Sequence, residues 1–532
     1  MDETQPIASA NRQIARAAST VMAAIVLGQL AGLVRGVLVA RAFQAADLDA
    51  FFAANRVSET LFMLIAAGAL GSAFIPTFTG LLARGERAVA WRLASALANL
   101  ILIMLSVLSV LAAVFAPIIV RYLLAPGFSR DPALFGLTVD LLRIQLASVV
   151  LFGLGGLLVG VLNAHQIFFV PALTPSMYQL GLIFGVLVLA PKLGIRGLAW
   201  GVVVGASLYL ALQIPSLLKL SRRTSARVRY VPTLGRGDTA VREVLSLMAP
   251  RVMGIGVVQL NFWVNTWLAS QMQAGSVAGL QYGFSLMLMA QAAIAQSVAI
   301  AAMPTFSAQH ALGRVDELRD SIAASLRGVL LLAMPASVGL MILRGPIVAM
   351  LYQRGQFDAR MTDLVSWALL WFAAGLIGHS MLEVLTRAFY AQHDTRTPVI
   401  VGGLAMGLNV LFSFGLARAF AAVGWMPHGG LALANSLATA LEMSVLLFMI
   451  RRRLKGLSAG HIGRGLAQAG TGGLVMGIVL LMWSRGTGSS WLIGAGGVAL
   501  GGAVYGLLMR QLKVPEFEAM YQAIRRRLTR TH

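Results

Sequence analysis

Apolar runs long enough to cross a bilayer follow one another along nearly all of this 532-residue chain. Lipid offers no hydrogen-bond partners to an open backbone, so only helices and closed barrels can span it. A spanning helix needs roughly 17–25 apolar residues. Barrel strands are short and alternate in polarity, whereas these runs are long and continuous. Charged residues make up only 12% of the chain, against about 25% in soluble domains. The expected fold is therefore an all-α polytopic membrane protein. Spans are expected at 18–40, 51–82, 92–124, 134–162, 167–190, 195–220, 241–272, 276–308, 319–352, 362–391, 397–420, 429–450, 463–484 and 490–511. That is about fourteen helices.

The charge that remains is strongly basic, +22 net. It falls mostly in the tails and in alternate loops. Arg12 and Arg16 precede the first span; Arg84, Arg87 and Arg92 follow the second; Lys219, Arg222, Arg223, Arg227, Arg229 and Arg236 follow the sixth; Arg451, Arg452, Arg453 and Lys455 follow the twelfth; Arg525, Arg526, Arg527 and Arg530 close the chain. Basic loops stay on the cytoplasmic side, so both termini are expected there. No groove-reading element can be built from such segments, which argues against nucleic acid as a partner. Cysteine is absent, excluding disulfides and thiolate metal sites. No phosphate-cradling GxxxxGK[ST] and no HExxH occurs, so neither a nucleotide-hydrolysing nor a metal-protease chemistry is expected. No cofactor is expected; work done across the bilayer by such a chain would draw on the membrane potential or an ion gradient. No cleavable leader is evident, and the first span is expected to anchor the chain.

The chain repeats itself. Phe74-Ile75-Pro76-Thr77-Phe78 returns as Ala302-Met303-Pro304-Thr305-Phe306, Ala116-Pro117 as Gly345-Pro346, Gly127-Phe128 as Gln356-Phe357, and Pro171 as Pro398, each at an offset of about 228 residues. Two copies of a six-helix unit are expected, 1–225 and 226–455, followed by 456–532 with the thirteenth and fourteenth helices and a basic tail. Two such units in the same orientation, related by an axis along the membrane normal, are a transporter plan. Gly153–Gly160 and Gly402–Gly407 suit close helix packing.

Charges inside the spans single out candidate residues, because an ionisable group at bilayer depth costs about 2.5–3.5 kcal/mol even on the lenient scale. Arg35 lies within the first span beside Gly28, Gly32 and Gly36; a guanidinium there can bind phosphate or carboxylate bidentately, or pair with Glu59 or snorkel toward the outer face. Arg41 and Asp49 flank the following turn. Arg56 and Glu59, three apart, share a helix face and can either line a polar path or neutralise each other. Arg251 opens the seventh span, with Gln259, Asn261, Asn265 and Gln271 after it and Gln281, Gln291 and Gln296 on the eighth. Glu383 and Arg387 are spaced as a structural pair, and Asp140 with Arg143 as the cap of the fourth span. The candidate substrate-binding set is Arg35, Arg56, Asp49, Glu59 and Arg251.

The segments GLVRGVLVARAF (32–43), DAFFAANRV (49–57), GALGSAFIPTF (68–78), LLAPGF (123–128), GVLNAHQIFFVPALTP (160–175), LYQRGQFD (351–358) and LTRAFYAQHDTRTPV (385–399) resemble the MurJ/MviN family of the multidrug/oligosaccharidyl-lipid/polysaccharide exporter superfamily. The resemblance runs over almost the whole chain. It implies a flippase, not an enzyme, that moves lipid II, the undecaprenyl-pyrophosphate-linked peptidoglycan precursor, across the bacterial inner membrane for cell-wall biogenesis and cell shape. It also implies a cationic cavity for the head group, a groove toward helices 13 and 14 for the lipid tail, contact with membrane lipids, and cell-wall synthesis proteins as partners. By position, Arg35 matches the family's first-helix arginine, Asp49 the acidic residue opening helix 2, and Arg56 a basic position. Further charges that the resemblance implies near Phe62, Ala67, Ser285 and Leu288 are absent, and Gly36 and Gln29 stand where charged residues are common. Another polyprenyl-linked oligosaccharide, small-molecule export and a non-transporting scaffold are the alternative readings.

Overall fold

The computed structural model describes residue 24 and residues 27–64, 71–223, 230–457, 459–486 and 488–518. Among these residues the chain is helical, without a strand. Twelve helices are long and apolar enough to cross a membrane, from Arg87–Val114 to Ser490–Gln511. The first two expected spans fall on a helix over 27–42 and on the helices Ala45–Phe62 and Gly71–Ala83, bringing the number to about fourteen. Residues 18–23, 25–26 and 65–70 of those two spans, and the basic residues of both tails, lie outside the described residues. Apolar side chains point outward: Val110 and Val114 on Arg87–Val114 are 61% and 62% exposed. A solvent of lipid, not water, makes such a surface stable.

The chain forms two compact units, Met1–Val277 and Ala278–His532. In the first, Pro132–Ala164 is the central helix, taking Ala45–Phe62, Arg87–Val114 and Ile195–Ala211 along its sides. Phe152 on this helix meets Phe62 at 5.2 Å and Tyr209 at 5.4 Å between ring centroids. The helices Phe169–Phe184 and Ile195–Ala211 meet backbone to backbone. A Cβ on Gly181 would lie 2.1 Å from Gly205 Cα, and one on Gly185 2.8 Å from Gly201 Cα, so only glycine permits that contact. The seventh long helix, Thr239–Ala269, also packs within this unit, against Ala45–Phe62 and Gly71–Ala83.

In the second unit the central helix is Val315–Tyr352, flanked by Ala359–Ala391, Ala459–Ser484 and Ser490–Gln511. The last helix pair is fastened to it by polar contacts. The Tyr505 hydroxyl donates to the Leu331 carbonyl at 2.7 Å. Buried Arg327 lies 3.0 Å from the Glu516 carboxylate and donates to Gln468 at 3.1 Å.

The internal repeat is visible in the turns. Gly85 and Gly313 both sit at positive φ, 79° and 68°, and so do Gln166 and His393, at 60° and 59°. Asp131 caps Pro132–Ala164 by accepting from Ala133 N at 2.9 Å, and Asp358 caps Ala359–Ala391 by accepting from Met361 N at 2.8 Å. Pro76 and Pro304 each lie inside a helix, and Phe78 and Phe306 are both buried. Asp131 thus takes the capping role expected of Asp140 and Arg143, because it alone sits where the free backbone N–H groups point. Asp140 instead pairs with Arg196 at 2.7 Å, and Arg143 donates to the Ala113 carbonyl at 3.1 Å.

Candidate functional site

The helix over 27–42 approaches Phe169–Phe184 through its glycines. A Cβ on Gly28 would meet Ser176 Oγ at 3.3 Å, and one on Gly32 would meet Gln179 Nε2 at 3.5 Å. Arg35, one turn beyond Gly32, is half-buried. Among the described residues it makes no ion pair. The phenol of Tyr178 lies within electrostatic reach of both Arg35 and Glu59, and its ring meets Phe152 edge-on at 5.3 Å.

Arg56 and Glu59 form the pair that their spacing allows. Arg56 NH1 donates to Glu59 Oε2 at 2.9 Å, with the two side chains 12% and 38% exposed. The guanidinium also lies over the Phe262 ring, 4.9 Å from its centre. Such a cation–aromatic contact contributes about 0.5–2 kcal/mol, more when desolvated. Thr60 locks the two helices concerned. Its hydroxyl donates to the Arg56 carbonyl at 2.7 Å and accepts from Trp263 Nε1 at 2.8 Å and Gln259 Nε2 at 3.4 Å.

Two candidates sit elsewhere. Asp49 is 2% exposed, and its Oδ2 accepts from the Gly275 N–H at 2.6 Å. A carboxylate on a backbone N–H is a strong, short contact, and it holds the turn in which Gly275 takes φ 94°. Arg251 is exposed and directly follows Pro250. Eleven residues separate it from Phe262 on the same helix, about 16 Å along the axis. Arg35 and Glu59 thus both reach Tyr178, and Arg56 joins them through Glu59, whereas Asp49 is engaged at the turn of Gly275 and Arg251 lies farther along its helix. Tyr178, Thr60, Trp263 and Gln179 complete this region, and as uncharged groups in apolar runs they carry no mark in the sequence beyond polarity.

In the second unit Glu383 and Arg387 pair as their spacing predicts. Arg387 NH1 donates to Glu383 Oε2 at 2.8 Å, and Gln291 donates to Glu383 Oε1 at 3.4 Å. His379 and Asn435 bond at 3.0 Å. Among the described residues no three His, Cys, Asp or Glu side chains gather as a metal site.

Long apolar helices that carry an arginine and an ion pair between their ends mark a multi-pass membrane protein of the transporter class. A sequence model of the family described as lipid II flippase MurJ matches residues 39–496, and the chain belongs to that family. Lipid II flippase MurJ of Burkholderia cenocepacia is 30% identical over 447 residues, which cover 82% of this chain and 84% of that protein. A probable lipid II flippase MurJ of Vibrio cholerae is 29% identical over 497 residues, 91% of each chain. A solved lipid II flippase MurJ in an inward closed conformation superposes with a TM-score of 0.79 at 24% identity, covering 92% of this chain and 99% of that one. An inward-facing multidrug resistance MATE transporter superposes with a TM-score of 0.68 at 14% identity, covering 82% and 98%. Both superpositions establish the fold.

Proposed function

We propose that this protein is a flippase that moves lipid II from the cytoplasmic to the outer leaflet of the bacterial inner membrane by alternating access, serving cell-wall synthesis. The observation that carries the reading is Arg35, a half-buried intramembrane cation that makes no ion pair among the described residues, beside the Arg56–Glu59 pair. A pyrophosphate supplies the missing charge, and guanidinium is the donor best matched to its oxygens. Arg56 assists once the ligand competes with Glu59 for it. Asp49 serves the ligand indirectly, by holding the turn before the eighth helix, and Arg251 meets anionic groups nearer the start of the seventh. Both termini face the cytoplasm. The molecule acts as a transporter without enzymatic chemistry or cofactor and is driven by the membrane potential or an ion gradient. One elementary charge is worth about 2.3 kcal/mol per 100 mV, enough to bias such a cycle. The repeat divides it into 1–225, 226–455 and 456–532, the last with the additional helix pair, and cell-wall synthesis proteins are its macromolecular partners.

The test is lipid II exposed on the outer leaflet of cells depleted of their own flippase. The wild-type chain is expected to restore exposure, and Arg35→Ala at matched membrane levels to lose it. Loss of one charge-assisted hydrogen bond costs about 1.5–3 kcal/mol, tenfold or more in binding. Restoration by both chains would keep the flippase and discard the site. No restoration by inserted wild type would favour another polyprenyl-linked oligosaccharide. A specific observation keeps that second reading open: Phe62, where the family resemblance implies a basic residue, is spent on an aromatic contact with Phe152.

A further inference from the structure

Glu442 is a membrane-buried carboxyl that nothing so far explains. It lies in His428–Arg453, fourteen residues after His428 and nine before Arg451, so about 21 Å and 13 Å from those two positions along the axis. The residue is 9% exposed. Among the described residues no hydrogen bond or ion pair reaches its carboxylate. One turn to either side on the same face, Ala438 and Leu446 are fully buried. Across from it stands Gly402 of Arg396–Ala422, where an added Cβ would come within 3.0 Å of Glu442 Oε1. The glycine therefore leaves the space that the carboxyl occupies.

The other titratable groups on the two helices packed along His428–Arg453 are accounted for. On Ala359–Ala391, His379 bonds Asn435, and Glu383 is held by Arg387 and Gln291. Arg360, Asp363 and Tyr390 lie near that helix's ends, Arg360 and Asp363 being exposed. On Arg396–Ala422, Arg396 and Arg418 are exposed. On its own helix, His428 bonds the Leu364 carbonyl at 3.0 Å, and Arg451–Arg453 form the far end.

An isolated ionised carboxylate in a low-dielectric interior is too costly to keep without a positive charge. A metal cation would need several oxygen ligands arranged around it, and among the described residues no cluster of His, Cys, Asp or Glu side chains includes this carboxylate. A proton needs one oxygen. We infer that Glu442 is a proton-binding site of the second unit, loaded and unloaded as the transporter cycles. The inference rests on the transport reading for its role in the cycle, but not for the binding itself. The neutral acid is compatible with dry packing against Gly402, whereas the carboxylate requires water, so the two protonation states favour different packings of the two helices.

Infrared difference spectra of the purified full-length protein, taken between about pH 5 and 9, test the binding. The wild type should gain a carboxylic-acid carbonyl band on acidification that Glu442→Gln lacks. Gly402→Ala keeps the carboxyl and should move the midpoint of that band, which separates the site from misfolding of the glutamine variant. Identical spectra for wild type and Glu442→Gln would overturn the proposal. In proteoliposomes clamped at zero voltage, wild-type flipping should change about tenfold per pH unit where proton binding limits the rate, and Glu442→Gln should flatten this to within about twofold. A rate that follows sodium instead, with that response lost in Glu442→Gln, would also overturn it. If the wild type moves no lipid II at all, the transport reading fails, and the infrared band still decides the fate of Glu442.

Discussion

The two units share their turns and differ in their charges. Gly85 and Gly313, Gln166 and His393, Asp131 and Asp358 punctuate both at the same places. In the first unit Arg35, Arg56 and Glu59 lie on the first two helices, and Arg35 makes no ion pair among the described residues. In the second, Arg327 pairs with Glu516 and Arg387 with Glu383, while Glu442 makes no ion pair among the described residues. Backbone geometry at a turn is set by sterics and caps, and any sequence meeting those demands keeps the fold. Charges inside a bilayer are tolerated only for a purpose, so they are free to diverge between repeats once the purposes separate. The contrast supports the proposal that the ligand binds in the first unit.

The sharpest attack on that assignment compares arginines. Arg35→Ala should reduce outer-leaflet lipid II about tenfold or more, while Arg387→Ala should act mainly through stability. Equal losses of transport at equal folded levels would break the comparison. Glycines give the next largest effect. Gly181→Val drives a side chain into the Gly205 backbone and should cost at least about 1–3 kcal/mol, seen as loss of monodisperse protein on size exclusion. Gly403→Ala in the second unit meets nothing within 4 Å and should be neutral or slightly stabilising. Arg327→Ala frees the segment carrying Glu516. Because Glu516 is one-third exposed, with 33% of its side chain accessible, the loss should be modest, about 1–2 kcal/mol, read as a lower Tm.

The smallest effect is pH-dependent. Asp394, in the turn before Arg396–Ala422, accepts from the Thr397 N–H at 3.0 Å, the Thr397 hydroxyl at 2.8 Å and Arg453 at 2.7 Å. The Thr397 N–H is the largest of these influences, and together they outweigh burial and hold the carboxyl below the usual range. A depressed folded value means that the stabilisation is fully present above the unfolded value, about 3.9. It is lost as pH falls through the folded one. Asp394→Asn should therefore lower Tm slightly at neutral pH, with the difference from wild type vanishing in acid.

Most of the fold was legible because lipid imposes a length and a polarity on every span, and the repeat betrayed itself through proline and phenylalanine landmarks. Arg35, Arg56 and Glu59 stood out because a charge in an apolar run has no cheap explanation. Asp49 stood out for the same reason, yet its visible partner is a backbone N–H, and backbone donors cannot be read from residue types. Thr60 and Tyr178 stayed hidden because one hydroxyl in an oily helix looks like every other. Glu442 had the signal, a lone carboxyl in the run ALEMSVLL, and only burial beside Gly402 separates it from a surface glutamate.

Thr60 also gives the molecule an optical property. Its hydroxyl holds the indole N–H of Trp263, next to the Phe262 ring under Arg56. Indole emission responds to its hydrogen-bond partner and to nearby charge, so drawing Arg56 away from Glu59 should shift the emission of Trp263. With the other eight of the 9 tryptophans replaced, the site would report its own occupancy as a spectral shift, without a label.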